Sequence, residues 1–81
     1  MMAVHNNIEY DYDRQSDVLY LSIGKPAPSY GEEDTEIEGL VIRHDIKTGK
    51  VTGVTILWFS EQDRPTLQRR LPFAFDFGLI K

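Results

Sequence analysis

LVIRHDIKTGKVTGVTILWF, Leu40 to Phe59, is the stretch whose reading decides the fold. Two runs rich in β-branched and apolar residues flank Lys47-Thr48-Gly49, which reads as a three-residue hairpin loop. A type I turn at Lys47-Thr48 followed by Gly49 in the left-handed region gives a bulged turn, a conformation glycine adopts without a steric penalty. This loop sets a register: Ile46 faces Lys50, His44 faces Thr52, Ile42 faces Val54 and Leu40 faces Ile56. Side chains alternate across a strand, so these residues share one face, with Trp58 continuing it. Val41, Arg43 and Asp45 lie on the other, opposite Thr55, Gly53 and Val51.

Working outward, Ile8-Glu9-Tyr10-Asp11-Tyr12-Asp13 alternates apolar and acidic residues, the pattern of a half-buried strand. Arg14-Gln15-Ser16-Asp17 is a polar turn, with the Asp17 side chain expected to cap it. Val18 to Ile23 returns. A four-residue loop pairs Asp13 with Val18, Tyr12 with Leu19, Tyr10 with Leu21 and Ile8 with Ile23, so every inward pair is apolar. Between the hairpins, Gly24 to Glu36 has no periodicity. Pro26 and Pro28 favour an extended path there, and a connection of this length is usually functional or mobile.

After the second hairpin a short helix is expected over Pro65 to Leu71, capped by Ser60 or opened by Pro65 itself. Leu67 and Leu71 lie on one side of it. Arg69 and Arg70 sit in the last turn, where cations complement the helix dipole. Pro72 ends it. Phe73, Phe75 and Phe77 then recur with period two, and each could bury on the order of 150–250 Å². Such a tail must pack, under its own sheet or against a second copy.

The chain has 81 residues, no cysteine and a net charge of −4. That length predicts one small domain, residues 1–81, burying only roughly 60% of its unfolded surface. Neither disulfides nor thiolate metal sites are available to it, which leaves self-association as the common remedy for a thin core. The opening MMAVHNNIEY lacks the basic and apolar regions of a secretory signal, and no apolar run approaches the ~20 residues needed to cross a bilayer. A cytoplasmic protein without membrane contact is the expectation. Residues 1–38 hold nine acidic and two basic side chains, and residues 39–81 hold four acidic and seven basic. This asymmetry can orient a contact between copies, although a merely acidic end of the molecule is the blander reading.

The fold expectation is therefore α+β: a four-stranded antiparallel sheet of two β-hairpins, with a short C-terminal helix and an extended Phe-rich tail. The order of the hairpins stays open.

Chemistry is thinly signalled. Glu9, Asp11 and Asp13 share a strand face and could hold Mg²⁺ or Ca²⁺, but they read first as a solvated, edge-blunting row. His44 and Asp45 are adjacent on a strand and point apart, so they form no couple. His44 reads as a half-buried structural histidine, and His5 lies in an end expected to fray. Ser16, Ser22, Ser29 and Ser60 lack a glycine-flanked elbow, and Gly49-Lys50 lacks the rest of a phosphate loop. No catalytic residue, cofactor or metal is assigned, and the reading leans away from an enzyme. The net charge disfavours nucleic acid, although Arg64, Arg69, Arg70 and the aromatics could form a stacking patch.

Tyr20, Val41, Arg43, Leu57 and Phe59 point away from the first core in this register. Together with Phe73, Phe75 and Phe77 they make the candidate interaction surface. The functional expectation is a non-enzymatic protein-interaction domain acting as a homodimer, with any further protein partner unspecified. Two alternatives stand beside it. One is a ligand-binding or enzymatic pocket under the Gly24–Glu36 loop, using Tyr30, Glu32, Glu33 and His44. The other is the regulatory half of an antitoxin-like two-protein module.

Several blocks also carry a resemblance. Tyr12-Asp13, Asp17-Val18-Leu19-Tyr20-Leu21, Gly39-Leu40-Val41-Ile42, Asp45 and Gly49 to Leu57 match in type and spacing a small bacterial family, domain of unknown function 2283. The chain resembles it over roughly residues 8–60; the tail beyond Ser60 is not covered. The resemblance implies a sheet with a helix and no established activity, and it transfers no catalytic or ligand-binding residue.

Overall fold

The computed structural model of the chain describes residues 3–5 and 7–80. Among the described residues six strands form one antiparallel sheet: β1 (Ala3–His5), β2 (Ile8–Asp13), β3 (Val18–Ile23), β4 (Ser29–Glu33), β5 (Leu40–Asp45) and β6 (Val51–Ile56). Their order across the sheet is β1-β2-β3-β6-β5-β4. The two hairpins are thus neighbours, joined through β3 and β6 at the centre. One helix, α1 (Arg64–Arg70), follows, with three-residue 3-10 turns at Phe59–Glu61 and Phe77–Leu79. Among the described residues no helix is long and apolar enough to cross a membrane.

The four-strand expectation is corrected to a six-stranded sheet, five strands of which have five or six residues. The end expected to fray supplies the three-residue β1, paired with β2. The loop expected over Gly24 to Glu36 contains β4, paired with β5 along its whole length. Ser29-Tyr-Gly-Glu-Glu33 shows no alternation because it is an edge strand exposed at Tyr30 through Glu33, which needs no apolar side. Only Gly24 to Pro28 remains a crossing. It must pass the ends of β6 and β5 to reach the far edge, about 14 Å at the usual strand spacing. The extended path of its prolines gives five residues that reach. The Pro28 carbonyl accepts the Ile46 N–H at 3.0 Å at the far side.

The first hairpin keeps the expected register at every pair. Its turn chemistry differs. Asp13 Oδ1 accepts the N–H groups of Gln15 (3.0 Å) and Ser16 (3.3 Å), so Asp13 caps the turn. Asp17 stands in the left-handed region at φ 59° and is free to reach elsewhere.

In the second hairpin Leu40↔Ile56 and Ile42↔Val54 hold as expected, but His44 pairs with Val51, not Thr52. Asp45 causes the change. Its Oδ1 accepts from Lys47 N at 2.7 Å and Thr48 N at 3.2 Å, and its carbonyl accepts from Gly49 N at 2.8 Å. That closes a four-residue loop, and the extra residue in β6 appears as a bulge between Arg43 and His44. Gly49 does take the left-handed conformation, φ 75°. Ile46, expected in the ladder, is exposed at the turn.

One face of the sheet carries the core. Leu19, Leu21, Leu40, Val54 and Ile56 are fully enclosed, with Leu67 of α1 lying over them. Asp63, not Ser60, caps α1: its side chain accepts from Thr66 N at 3.1 Å, and Pro65 sits in the first turn. Ile37, from the link between β4 and β5, also joins this core.

The tail closes the same face. Ring contacts run from Tyr10 to Phe75 (5.4 Å), Phe77 (5.4 Å), Phe59 (5.7 Å) and back to Tyr12 (5.4 Å). The tail therefore packs under its own sheet, as irregular chain ending in a 3-10 turn and not as an extended strand. Phe59 reaches this cluster because Trp58 adopts φ 50°, ψ 44°. A left-handed residue breaks the two-residue alternation of a strand. Trp58, expected inward, is 46% exposed, and Phe59, expected outward, is 2% exposed.

Candidate functional site

The opposite face of the sheet has neither α1 nor the tail over it. Strand pairing lays its side chains in rungs. One rung crosses Asp11, Tyr20, Thr55, Val41 and Glu33; the next crosses Glu9, Ser22, Gly53, Arg43 and Gly31. The first rung is apolar at its centre and acidic at both ends. Tyr20 is 40% exposed, and Val41, Thr55 and Leu57 are half-buried.

Arg43 is the centre of the second rung. Its side chain crosses the sheet over Gly53, and Nη2 donates to the Leu21 carbonyl and to Ser22 Oγ at 3.2 Å. A Cβ at Gly53 would overlap both the guanidinium and that carbonyl. The glycine thus makes the groove in which the arginine lies. Burial pulls the guanidinium below its ordinary pKa, and its Nε is enclosed without a hydrogen-bond partner.

Beside Arg43, the Gly24–Ala27 crossing roofs a cleft of about 220 Å³. Arg43, Ser22, Glu9, Lys25, Ser29 and Thr52 are among its lining residues. Ser29 and Thr52 share a hydroxyl hydrogen bond of 2.8 Å, a contact that the β6 bulge makes possible by turning Thr52 out of the expected register. A pocket under the long loop therefore exists, but its residues differ from those expected. Tyr30, Glu32 and His44 gather instead on the other face of the β4–β5 edge. There the Tyr30 and His44 rings stack at 5.4 Å and His44 Nε2 stands 3.8 Å from Glu32 Oε1. Glu33 is apart, accepting the Gly39 N–H at 3.1 Å.

The candidate interaction surface divides. Tyr20, Val41, Arg43 and Leu57 have accessible surface. Phe59, Phe75 and Phe77 are core residues, and Phe73 packs against the core, so these four form no outward patch. Exposure follows the left-handed kink and the ring cluster, neither of which alternation registers.

Two carboxylates act as staples. Asp17 Oδ1 accepts from the Tyr12 hydroxyl (2.6 Å) and Ser60 N (2.9 Å), and Oδ2 accepts from Ser60 Oγ (2.6 Å). The Ser60 hydroxyl first, and then the Tyr12 hydroxyl, hold the Asp17 carboxyl below its usual range. Asp34 meets Arg70 at 2.7 Å and also accepts from Glu36 N and Ile37 N at 3.0 and 2.9 Å. The acidic first half of the chain and its basic second half thus meet within one molecule.

Trp58 lines a second, wide groove of about 660 Å³ with Glu36, Glu38, Glu61 and Asp63. Its ring lies where a Cβ at Gly39 would stand, 2.8 Å from Cε3, and Gly39 itself is at φ 88°.

No curated protein and no solved structure matches the chain. Residues 9–60 match the family described as Protein of unknown function (DUF2283). That span runs from β2 to the Ser60 contact with Asp17, and it holds both open-face rungs, Gly53 and the cleft. The chain belongs to the DUF2283 family.

Proposed function

We propose that the chain is a non-catalytic interaction domain that docks a second copy of itself on the open face of its sheet. The observation that carries this reading is the Tyr20–Thr55–Val41 rung, an apolar strip across three adjacent strands with no helix above it. The strip is bulky at Tyr20, small at Thr55 and of middle size at Val41. Turned over about an axis along β6, it sets each Tyr20 against the partner's Val41, with the two Thr55 residues meeting at the middle. An aligned pair of sheets packs in this manner. Self-complementarity of this kind is what a two-fold interface requires. Asp11 and Glu33 fall at the rim, where interfaces are polar.

Light scattering across a concentration series tests the reading. A dimer at micromolar concentration is expected, becoming monomeric in Thr55→Glu. Salt should tighten the dimer, because rim carboxylates of like charge face each other and salt screens them. A wild-type monomer throughout the series would remove the proposal.

A further inference from the structure

The Arg43 cleft carries an inference independent of docking. We infer that the cleft between Arg43 and the Gly24–Ala27 crossing binds a small oxyanion, a carboxylate or a phosphate, on the guanidinium.

A partly buried charge is costly unless it is paired and its hydrogen-bond donors are used. Among the described residues the hydrogen-bond partners of Arg43 are neutral: the Leu21 carbonyl and the Ser22 hydroxyl, both on Nη2. Its Nε–H is enclosed and unpaired, and among the described residues no carboxylate forms an ion pair with it. The planar fork of an arginine is matched by carboxylate and phosphate oxygens, and such charge-assisted bonds are about twice as strong as neutral ones. The walls agree with that ligand. Lys25 is a second cation in the lining, while the Ser29 hydroxyl already donates to the Ala27 carbonyl at 2.8 Å and takes the Thr52 hydroxyl bond at 2.8 Å. Glu9 is the opposing group at the cleft, and its carboxylate would repel the ligand. The volume, about 220 Å³, admits a small free anion or the carboxylate end of a peptide. Gly53 keeps this arrangement open, since a side chain there would occupy the groove of the guanidinium.

The test follows the Arg43 Nε–H and the Gly24, Lys25 and Ala27 amides by NMR. Inorganic phosphate and succinate are titrated at constant ionic strength, with sodium chloride as the control. A third arm uses a short peptide with a free C-terminal carboxylate, beside its amidated form. Saturable shifts at these resonances are expected with phosphate or succinate. If the peptide saturates them and its amide does not, while both free anions fail, the source is a chain terminus and the oxyanion assignment holds. Arg43→Gln should weaken binding about ten- to hundredfold, the loss expected for a charge-assisted hydrogen bond. Glu9→Gln, which leaves the arginine and its groove intact, should tighten it by about two- to fivefold as a like charge is removed. Val41→Ala, an uncharged change in the docking strip, should leave binding unchanged, which separates this site from that strip. Linear, unsaturable shifts in every arm, or a Glu9→Gln variant that binds no more tightly than wild type, overturn the inference.

Discussion

Alternate residues of the same strands build the two faces of this sheet, yet the faces end in opposite conditions. On one, Leu19, Leu21, Leu40, Val54 and Ile56 are sealed by Leu67 of α1 and by a ring cluster from the tail. On the other, Tyr20, Thr55 and Val41 lie uncovered beside an arginine laid flat over a glycine. The sealing elements, α1 and Phe73 to Ile80, lie outside the residues that match the family, whereas both faces of β2, β3, β5 and β6 lie within them. An apolar pattern therefore says only that a side chain seeks cover. Whether the cover is the chain's own tail or another molecule depends on elements elsewhere in the sequence.

The comparison breaks most visibly in the core. Phe75→Ala removes the ring that bridges Tyr10 and Phe77. It should cost about 3–5 kcal/mol, read from urea unfolding. At a dilution where wild type is itself monomeric, Thr55→Glu on the open face should cost only about 1 kcal/mol or less. Equal costs would mean that the two faces are not differently covered.

A smaller effect is expected at Gly53. Gly53→Ala forces a Cβ against the guanidinium and against the Leu21 carbonyl. The clash should cost about 1–3 kcal/mol, the usual range for overpacking. The Arg43 Nε–H resonance should shift with it. A neutral substitution would show that Arg43 does not occupy the groove.

The smallest effect concerns the staple between the first turn and the segment after β6. The native pKa of Asp17 is depressed by the Ser60 and Tyr12 hydroxyls. A depressed carboxylate stabilises the fold above its unfolded pKa of about 3.9, and that contribution disappears as pH falls through the lower native value. Asp17→Asn, which tolerates the left-handed backbone, should therefore lower the Tm near neutral pH, with the difference shrinking in acid. A difference that grew in acid would reverse the assigned sign.

Much of this was legible in residues that obey a local rule. The first hairpin register follows from Ile8, Tyr10 and Tyr12 facing Ile23, Leu21 and Leu19, and the open end of the second follows from Leu40, Ile42, Val54 and Ile56. The short helix followed from Pro65, Leu67 and the closing arginines. What escaped depends on partners distant in sequence. β4 has no pattern of its own and is a strand because β5 offers an edge. Asp45 outcompeted the simpler three-residue turn with a side-chain cap. Trp58 and Phe59 exchanged sides through one left-handed residue. Arg43 opposite Gly53 was part of the expected register, and the structure keeps that pair. What escaped is that the Gly24–Ala27 crossing passes beside it to form the cleft.

The most direct measurement is a dilution series of backbone amide spectra, from the concentration at which light scattering reports a dimer to that at which it reports a monomer. The chemical shift changes should be confined to Tyr20, Val41, Thr55 and their strand neighbours, leaving Phe75 and Phe77 fixed. Changes concentrated in the phenylalanine tail would place the contact between copies on the face described here as closed, and would contradict the account.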